Sequence, residues 1–302
     1  MPSSPETWPP LALADWIDTC ETLHRWTQVV GKIRMALAPA VNHWWHVPLY
    51  VTARGLTTTA MPCPGGSLEI AFDFVGHQLT LTHSNGTIRQ RPLRPESVAS
   101  FYAATMAEVR ALGVDVKIWP MPSEIPSPVR FDRDEQHASY DAAAAARFWR
   151  VLLAADRVMH VFRSPFIGKH SPVHFFWGSF DLASTRFSGR RAPERPGADQ
   201  ITREAYSHEV MSVGFWAGTR DKIDAAFYAY AAPEPDGLKA VPMRQGVQYS
   251  DDFKIFVYPY ADARAQGSPD AAVLEFFQSV YDAAADLGRW DRAALERRGT
   301  DG

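Results

Sequence analysis

Apolar positions along the chain change period several times, and each change predicts an element. Trp16, Cys20, Leu23, Trp26, Val30, Ile33 and Leu37 recur in steps of three and four, which predicts a helix with one buried face, capped by Asp15 and ending before Pro39. Asn42 to Val51 is aromatic and β-branched, which predicts extended chain. Leu68, Ile70, Phe72 and Phe74 then alternate with Glu69, Ala71 and Asp73 as in a half-buried strand, and Leu79 and Leu81 repeat the alternation. Asn85-Gly86 is a hairpin signal, with Ile88 starting the return strand. Pro95 opens a second helix bearing Val98, Phe101, Thr105, Val109 and Leu112 on one face, closed by Gly113. Val114, Val116 and Ile118 alternate as a short strand.

The second part of the chain repeats this order. A long helix is predicted from Asp141, with Phe148, Leu152, Ala155, Met159 and Phe162 inward. Strands are predicted near 173–187, 207–216, 226–231 and 252–258. A last helix starts at Ser268-Pro269, with Val273, Phe277, Val280, Ala284 and Leu287 inward. The expected fold class is therefore α+β, in two similar halves, each helix–antiparallel strands–helix, with helices packed on sheet. The expected organisation is a flexible N-terminus at 1–12, a first half at 13–118, a Pro-rich connector at 119–140, a second half at 141–290 and a charged tail at 291–302. A local match sharpens the repeat. Gly31-Lys32, His43-Trp44-Trp45 and Ala53-Arg54-Gly55 correspond to Gly168-Lys169, His174-Phe175-Phe176 and Ala183, Arg186 and Gly189. Two such halves would meet about a pseudo-twofold axis, with a pocket expected where they join.

Composition narrows the function classes. In 302 residues, 46% hydrophobic and 22% charged residues predict a globular chain with a real core. A net charge of −3, with only Arg186, Arg190, Arg191 and Arg195 as a basic cluster, argues against nucleic acid as partner. No apolar run of spanning length and no basic-then-apolar N-terminus is present, so no membrane partner and a cytoplasmic location are expected. Two cysteines, Cys20 and Cys63, make no disulfide framework.

Candidate chemistry collects in three segments. If Tyr206 to Trp216 is a strand, Glu209 shares a face with Met211, Val213 and Phe215, where a carboxylate is costly unless paired or protonated. A bridge to Arg54, Arg186 or Arg190 is the structural alternative. In His174 to Leu182, Trp177, Ser179 and Asp181 share one face, which could stack a flat ligand. Lys32, Lys169, Arg54 and Arg186 are anion holders if they converge. His43, His46, His170, His174 and His208 are metal candidates only if the backbone brings them together, since no HExxH or His/Cys cluster exists. Glycine-rich phosphate loops and the serine-hydrolase elbow are also missing.

The segments NHWWHVPLYVTARGLTT, IWPMPSEIP, SPVHFFWGSFDLASTRFSGRRAP and REAYSHEVMSVGFWAG resemble an uncharacterised, mostly bacterial family, domain of unknown function 5996. The resemblance runs from about Leu13 to Leu295 and implies one evolutionary unit. It supplies no activity, cofactor or catalytic residue. The residues themselves point to a small-molecule enzyme with its pocket between the halves. Glu209 or His174 would be general acid or base, with His43 a further catalytic candidate. Trp45, Trp177 and Trp216 would hold the substrate, Arg54 or Arg186 its anionic group, and His46, Asp181 and His208 would complete the lining. A non-catalytic binding protein using the same pocket, and a metal-dependent hydrolase or oxygenase, are the alternatives. No cofactor and no oligomeric state is indicated.

Overall fold

A computed structural model describes residues 6–219 and 224–297. The first half runs α1 (Ile17–Leu37), β1 (Tyr50–Thr52), β2 (Gly55–Thr57), β3 (Met61–Cys63), β4 (Gly66–Asp73), β5 (Gln78–His83), β6 (Ile88–Pro92) and α2 (Val98–Ala111). The second runs α3 (Ala142–Arg163), β7 (His174–Phe176), β8 (Asp181–Arg191), the short α4 (Gln200–Ala205), β9 (His208–Trp216), β10 (Ala226–Ala232), β11 (Gln248–Ser250), β12 (Ile255–Pro259), α5 (Tyr260–Arg264) and α6 (Pro269–Leu287). A last turn, α7 (Arg292–Leu295), follows.

Local chemistry sets most helix starts. Asp141 accepts from the backbone N–H groups of Ala143 and Ala144, Ser97 from that of Ser100, and Ser268 from that of Ala271 ahead of Pro269. Asp15 does not cap α1. It lies in a preceding 3-10 turn, and Trp16 occupies the cap position without a side-chain bond. Burial of Trp16 against Phe148, ring centroids 5.0 Å apart, fixes that end instead.

The sheets are antiparallel, in the orders β1-β2-β4-β5-β6, with β3 paired to β4, and β7-β8-β9-β10-β12-β11. Each half is thus a helix, an antiparallel sheet and a helix, as the periodicity predicts. One face of each sheet carries the core. In the first half Trp26 of α1 stacks on Phe101 of α2 at 4.6 Å, and Phe101 on Phe72 of β4. In the second, Phe277 of α6 meets Phe162 of α3 and Phe227 of β10. Each such ring taken from water contributes about 1.5–3 kcal/mol.

The halves join edge to edge. Leu49 N–H donates to Phe175 O (2.9 Å) and Phe175 N–H donates to Leu49 O (2.8 Å). The same relation recurs beside it. His24 of α1, with its proton on Nε2, donates to Gly178 O (2.8 Å), and Trp149 of α3 donates to Thr52 O (3.1 Å). Leu49 and Phe175 lie 126 positions apart, His24 and Trp149 125, and Thr52 and Gly178 126. The reciprocal bonds mark a pseudo-twofold axis. They also correct the motif alignment, which pairs residues between 130 and 137 apart. His43-Trp44-Trp45 and His174-Phe175-Phe176 are not counterparts: the first forms a 3-10 turn and the second is strand β7.

Two expected extended segments differ. Asn42–Trp44 is a 3-10 turn in which His43 and Trp44 both have left-handed backbone, φ 59° and 61°. Contacts made far along the chain, including the His43 N–H to Glu204 Oε1 (3.2 Å), hold that conformation against the extended preference of these residues. Val114, Val116 and Ile118 do alternate in burial but pair with no strand. They cover the core from a connecting segment. Leu287, expected inward, is the last residue of α6 and is exposed. None of the helices among the described residues is long and apolar enough to cross a membrane.

Candidate functional site

Pseudo-symmetry supplies an internal control, because each sheet has a second face turned away from the core. In the first half that face bears Glu69, Ala71, Gln78, Thr80 and Thr82, an ordinary half-exposed polar surface, with a buried Thr57 donating to Glu69. In the second half the register aligns His174 with Ala183, Gly214 and Tyr228 across four strands, and Phe176 with Asp181, Trp216 and Ala226 beside it. This face is aromatic, and it buries a carboxylate. The tip of the connector covers one end of it. The 3-10 turn at Asn42–Trp44, packed on α4, covers the other.

Asp181 forms the first end. Its side chain accepts hydrogen bonds from the Ser179 and Tyr228 hydroxyls, and the residue is 7% exposed. None of the described cations lies within ion-pair distance of it. Burial pushes its carboxyl above the ordinary range, while the two hydroxyl bonds pull the other way. Tyr228 lies across Gly214, where a Cβ would come within 2.1 Å of its ring. Glu124, a connector residue with φ 60°, sets its carboxylate against the Cα of Gly178, at the solvent-exposed mouth. Its packing and the nearby charge of Asp181 both raise its pKa. The tip stays in place because Gln28 of α1 pairs twice with Ser123, accepting from its N–H (2.7 Å) and donating to its carbonyl (2.8 Å). Lys32 donates to Ser123 Oγ (3.1 Å).

The second end brings together His43, Trp45, His174 and His208. His43 Nδ1 donates to Glu204 O (3.1 Å), so its Nε2 accepts from Lys169 Nζ (2.7 Å). Lys169 sits 5.5 Å from the Trp45 ring and 5.0 Å from that of Phe187. Phe187, Val210 and Ala232, with Trp45, Tyr206 and Tyr230, form a small apolar cluster separate from the main core. Tyr206 and Tyr230 join hydroxyls at 2.9 Å, and Thr185 meets Ser212 at 3.0 Å. His174 lies below Trp45 and Tyr50 and is fully buried, with neither ring nitrogen bonded. Burial, then the charges of Arg34 and Arg163, pull its pKa down to about 3. It is a neutral imidazole with no route for a proton, so the acid–base role expected of it does not fit its place.

The other expected site residues are dispersed. Glu209 points to the helix side of β9. It accepts from Arg190 (2.7 Å) and Ser188 (2.8 Å), and Arg190 in turn donates to the Gly288 and Arg289 carbonyls at the end of α6. That carboxylate is the bridged alternative rather than an acid poised over substrate. Arg186 is also on the helix side, sandwiched between Phe162 (3.6 Å) and Tyr281 (4.1 Å) and donating to the Phe162 carbonyl. Arg54 pairs with Asp73 (2.6 Å) on the surface of the first half. Trp177 donates to Val47 O (2.8 Å) and packs on Gly31 at the join. His46 Nδ1 accepts from Val41 N–H (3.1 Å). The proposed anion holders Lys32, Lys169, Arg54 and Arg186 therefore do not converge.

The histidines do not assemble a metal site either: among the described residues no three His, Cys, Asp or Glu side chains are placed to hold one ion. His170 Nδ1 is occupied by Arg163 (3.0 Å), and His43 Nε2 by Lys169. Two solvent-open hollows of about 470 Å³ lie elsewhere. One is lined by Phe162, Leu274 and Arg297, the other by Trp16, Pro95 and Tyr140, and neither touches the aromatic face.

Sequence reasoning placed Ser179 beside Asp181 but missed Tyr228, Tyr230 and Glu124. The tyrosine pair was legible, since Ala226-Phe227-Tyr228-Ala229-Tyr230 puts two hydroxyls on one face at a spacing of two. Glu124 gave no signal, because only the connector's path brings it to Asp181.

The model of a family of unknown function, DUF5996, matches residues 8–297. No curated protein and no solved structure matches the chain.

Proposed function

Because the chain belongs to this family, whose description assigns no activity, we propose its function from geometry: a small-molecule enzyme that works by acid–base chemistry on the aromatic face of the second sheet. The observation that carries the reading is Asp181, a carboxylate buried on a sheet face without a described cation, where the equivalent face of the first half is ordinary solvated polar surface. Burying a carboxylate without a cation is costly even with two hydroxyl donors, and groups so placed are enriched at functional sites.

Asp181 reaches a ligand through its hydroxyl partners. Tyr228 Oη donates to Asp181 and keeps lone pairs for a ligand group. A ligand O–H or C–H acid passes its proton to Tyr228 Oη while Tyr228 passes its own to Asp181 Oδ2, and the reverse transfer completes the cycle. Phe176 and Trp216, which flank Asp181 on the neighbouring strands, offer ring faces for a flat organic body. The site lies on the second half beside the join, with the connector tip at its mouth, which departs from a pocket shared equally between halves.

The test is a thermal-shift screen of a metabolite library, followed by hydrogen exchange on each hit and turnover assays. The reading expects protection in β8–β10 and at residues 120–125. It also expects turnover to be lost in Asp181→Asn and Tyr228→Phe while the hit still binds. Turnover unchanged in both variants sinks it.

A second reading has its own observation. Both Asp181 oxygens are already satisfied by hydroxyls, which suits a binding protein that never releases the proton. Equal affinity in wild type and Asp181→Asn, with no turnover in either, would select it.

A further inference from the structure

The far end of the aromatic face gathers positive charge and no matching carboxylate. Lys169 makes no ion pair with any described acid: its polar contact is His43 Nε2, and Trp45 and Phe187 flank its ammonium. A β-bulge between Phe187 and Arg191, which includes Gly189 at φ 88°, resets the ladder so that Arg191 lies opposite His208. His43 and His208 stand 5.6 Å apart by ring centroid. The Ser207 hydroxyl donates to Glu204 O (2.8 Å), so it accepts from His208 Nδ1–H (3.1 Å), and His208 Nε2 is left without a described partner. Burial, and then the positive charges of Lys169 and Arg191, lower the pKa of His208. The Glu204 carboxylate accepts from the His43 backbone N–H (3.2 Å). Left-handed backbone at His43 and Trp44, held by the contact with Glu204, presents the His43 ring to Lys169.

We propose that Lys169, His208 and Arg191 form a site for the anionic group, phosphate or carboxylate, of an organic ligand whose aromatic part lies on Trp45. The inference deepens the enzyme reading by naming its substrate class, and it rests on that reading for the ligand's continuation toward Asp181. Lys169 O accepts from Phe187 N–H, and six residues of strand separate Phe187 from Asp181, about 20 Å. The substrate is then an extended organic anion, held by its charged end and transformed at the other.

Phenyl phosphate, inorganic phosphate and benzoate serve as probes, with the imidazole Cε1–H signals of His43 and His208 followed by NMR. The expected result is a saturable shift of His208, with its pKa raised by the bound anion. Phenyl phosphate and benzoate should bind more tightly than inorganic phosphate, because the ring adds contact with Trp45. Lys169→Met should weaken phenyl phosphate about tenfold or more, Lys169→Arg should restore most of it, and Arg191→Met should weaken it independently. Lys169 and Arg191 are exposed, so folding of the variants is checked simply by circular dichroism. Shifts that grow linearly with concentration, or equal binding by folded Lys169→Met, overturn the proposal. So does an inorganic phosphate affinity matching that of phenyl phosphate. Asp181→Asn separates the two readings: it abolishes turnover if the enzyme reading holds and leaves phenyl phosphate binding intact if the anion site stands, since sites this far apart act independently.

Discussion

Replacing His174 with Phe removes an imidazole that the fold keeps neutral, and the consequence is a change in how stability depends on pH. Its pKa is about 3 in the folded protein, against 6.5 for the free group. Between those values the unfolded chain takes up a proton and the folded chain does not. The sign follows from the depressed folded value: the contribution is fully present above pH 6.5 and is lost as pH falls through 6.5 toward 3. pH 5 lies one and a half units below the free imidazole's pKa of 6.5, so the wild type has lost about 2 kcal/mol through His174 alone. His24, lowered to about 4 chiefly by burial, loses stability over the same range, but it is present in both proteins and cancels in the difference. Phe fills the same space among Trp45, Tyr50 and Phe176 and leaves no orphaned ring nitrogen. His174→Phe should therefore match or exceed wild type at pH 7. It should lose about 2 kcal/mol less than wild type on going to pH 5. Urea unfolding at the two pH values, followed by tryptophan fluorescence and circular dichroism, measures both. Identical losses, or a variant destabilised by about 2 kcal/mol or more at pH 7, would show that His174 has a partner and titrates normally.

Gly214→Ala places a Cβ 2.1 Å from the Tyr228 ring; it should cost about 1–3 kcal/mol in urea unfolding and abolish turnover of any hit by moving Tyr228 off Asp181. Gly31→Ala drives a methyl to 2.2 Å from Trp177 at the join of the halves; a loss of about 1–3 kcal/mol is expected there too, with ligand affinity retained, and an unchanged unfolding midpoint would contradict the packing. Glu209→Gln weakens a half-exposed pair with Arg190 and should cost less than about 1 kcal/mol with turnover unaltered; a large drop in kcat would return Glu209 to the chemistry.

Much of the architecture was legible because it is written in period. Steps of three and four in α1, α3 and α6, and alternation in β4, β5 and β9, report which face of each element leaves water, and burial enforces that pattern wherever the sheet lies. Asn85-Gly86 gave the β5–β6 hairpin, whose turn depends on local backbone freedom. The order helix, antiparallel strands, helix, twice, followed from those elements in sequence.

What the tertiary structure decided is where polar groups end. Glu209 and Asp181 both sit on strands among apolar neighbours, and the same cost of burial attaches to each. Only the register, which sends Glu209 to the α6 end with Arg190 and Asp181 to the aromatic face with Tyr228, separates a structural bridge from a candidate acid. The repeat shows the same division. Its existence lay in the hydrophobic pattern, but its alignment did not. Matching His43 with His174 joined two residues by likeness, whereas the reciprocal bonds of Leu49 with Phe175, and of His24 and Trp149 across the axis, identify the true counterparts. Sequence determines the local periodicities because each is a property of a few neighbouring residues. The site depends on contacts between segments more than a hundred residues apart, such as His43 with Glu204 and Gln28 with Ser123 at nearly that range, and those exist only once the sheets have formed and the connector has been laid across them.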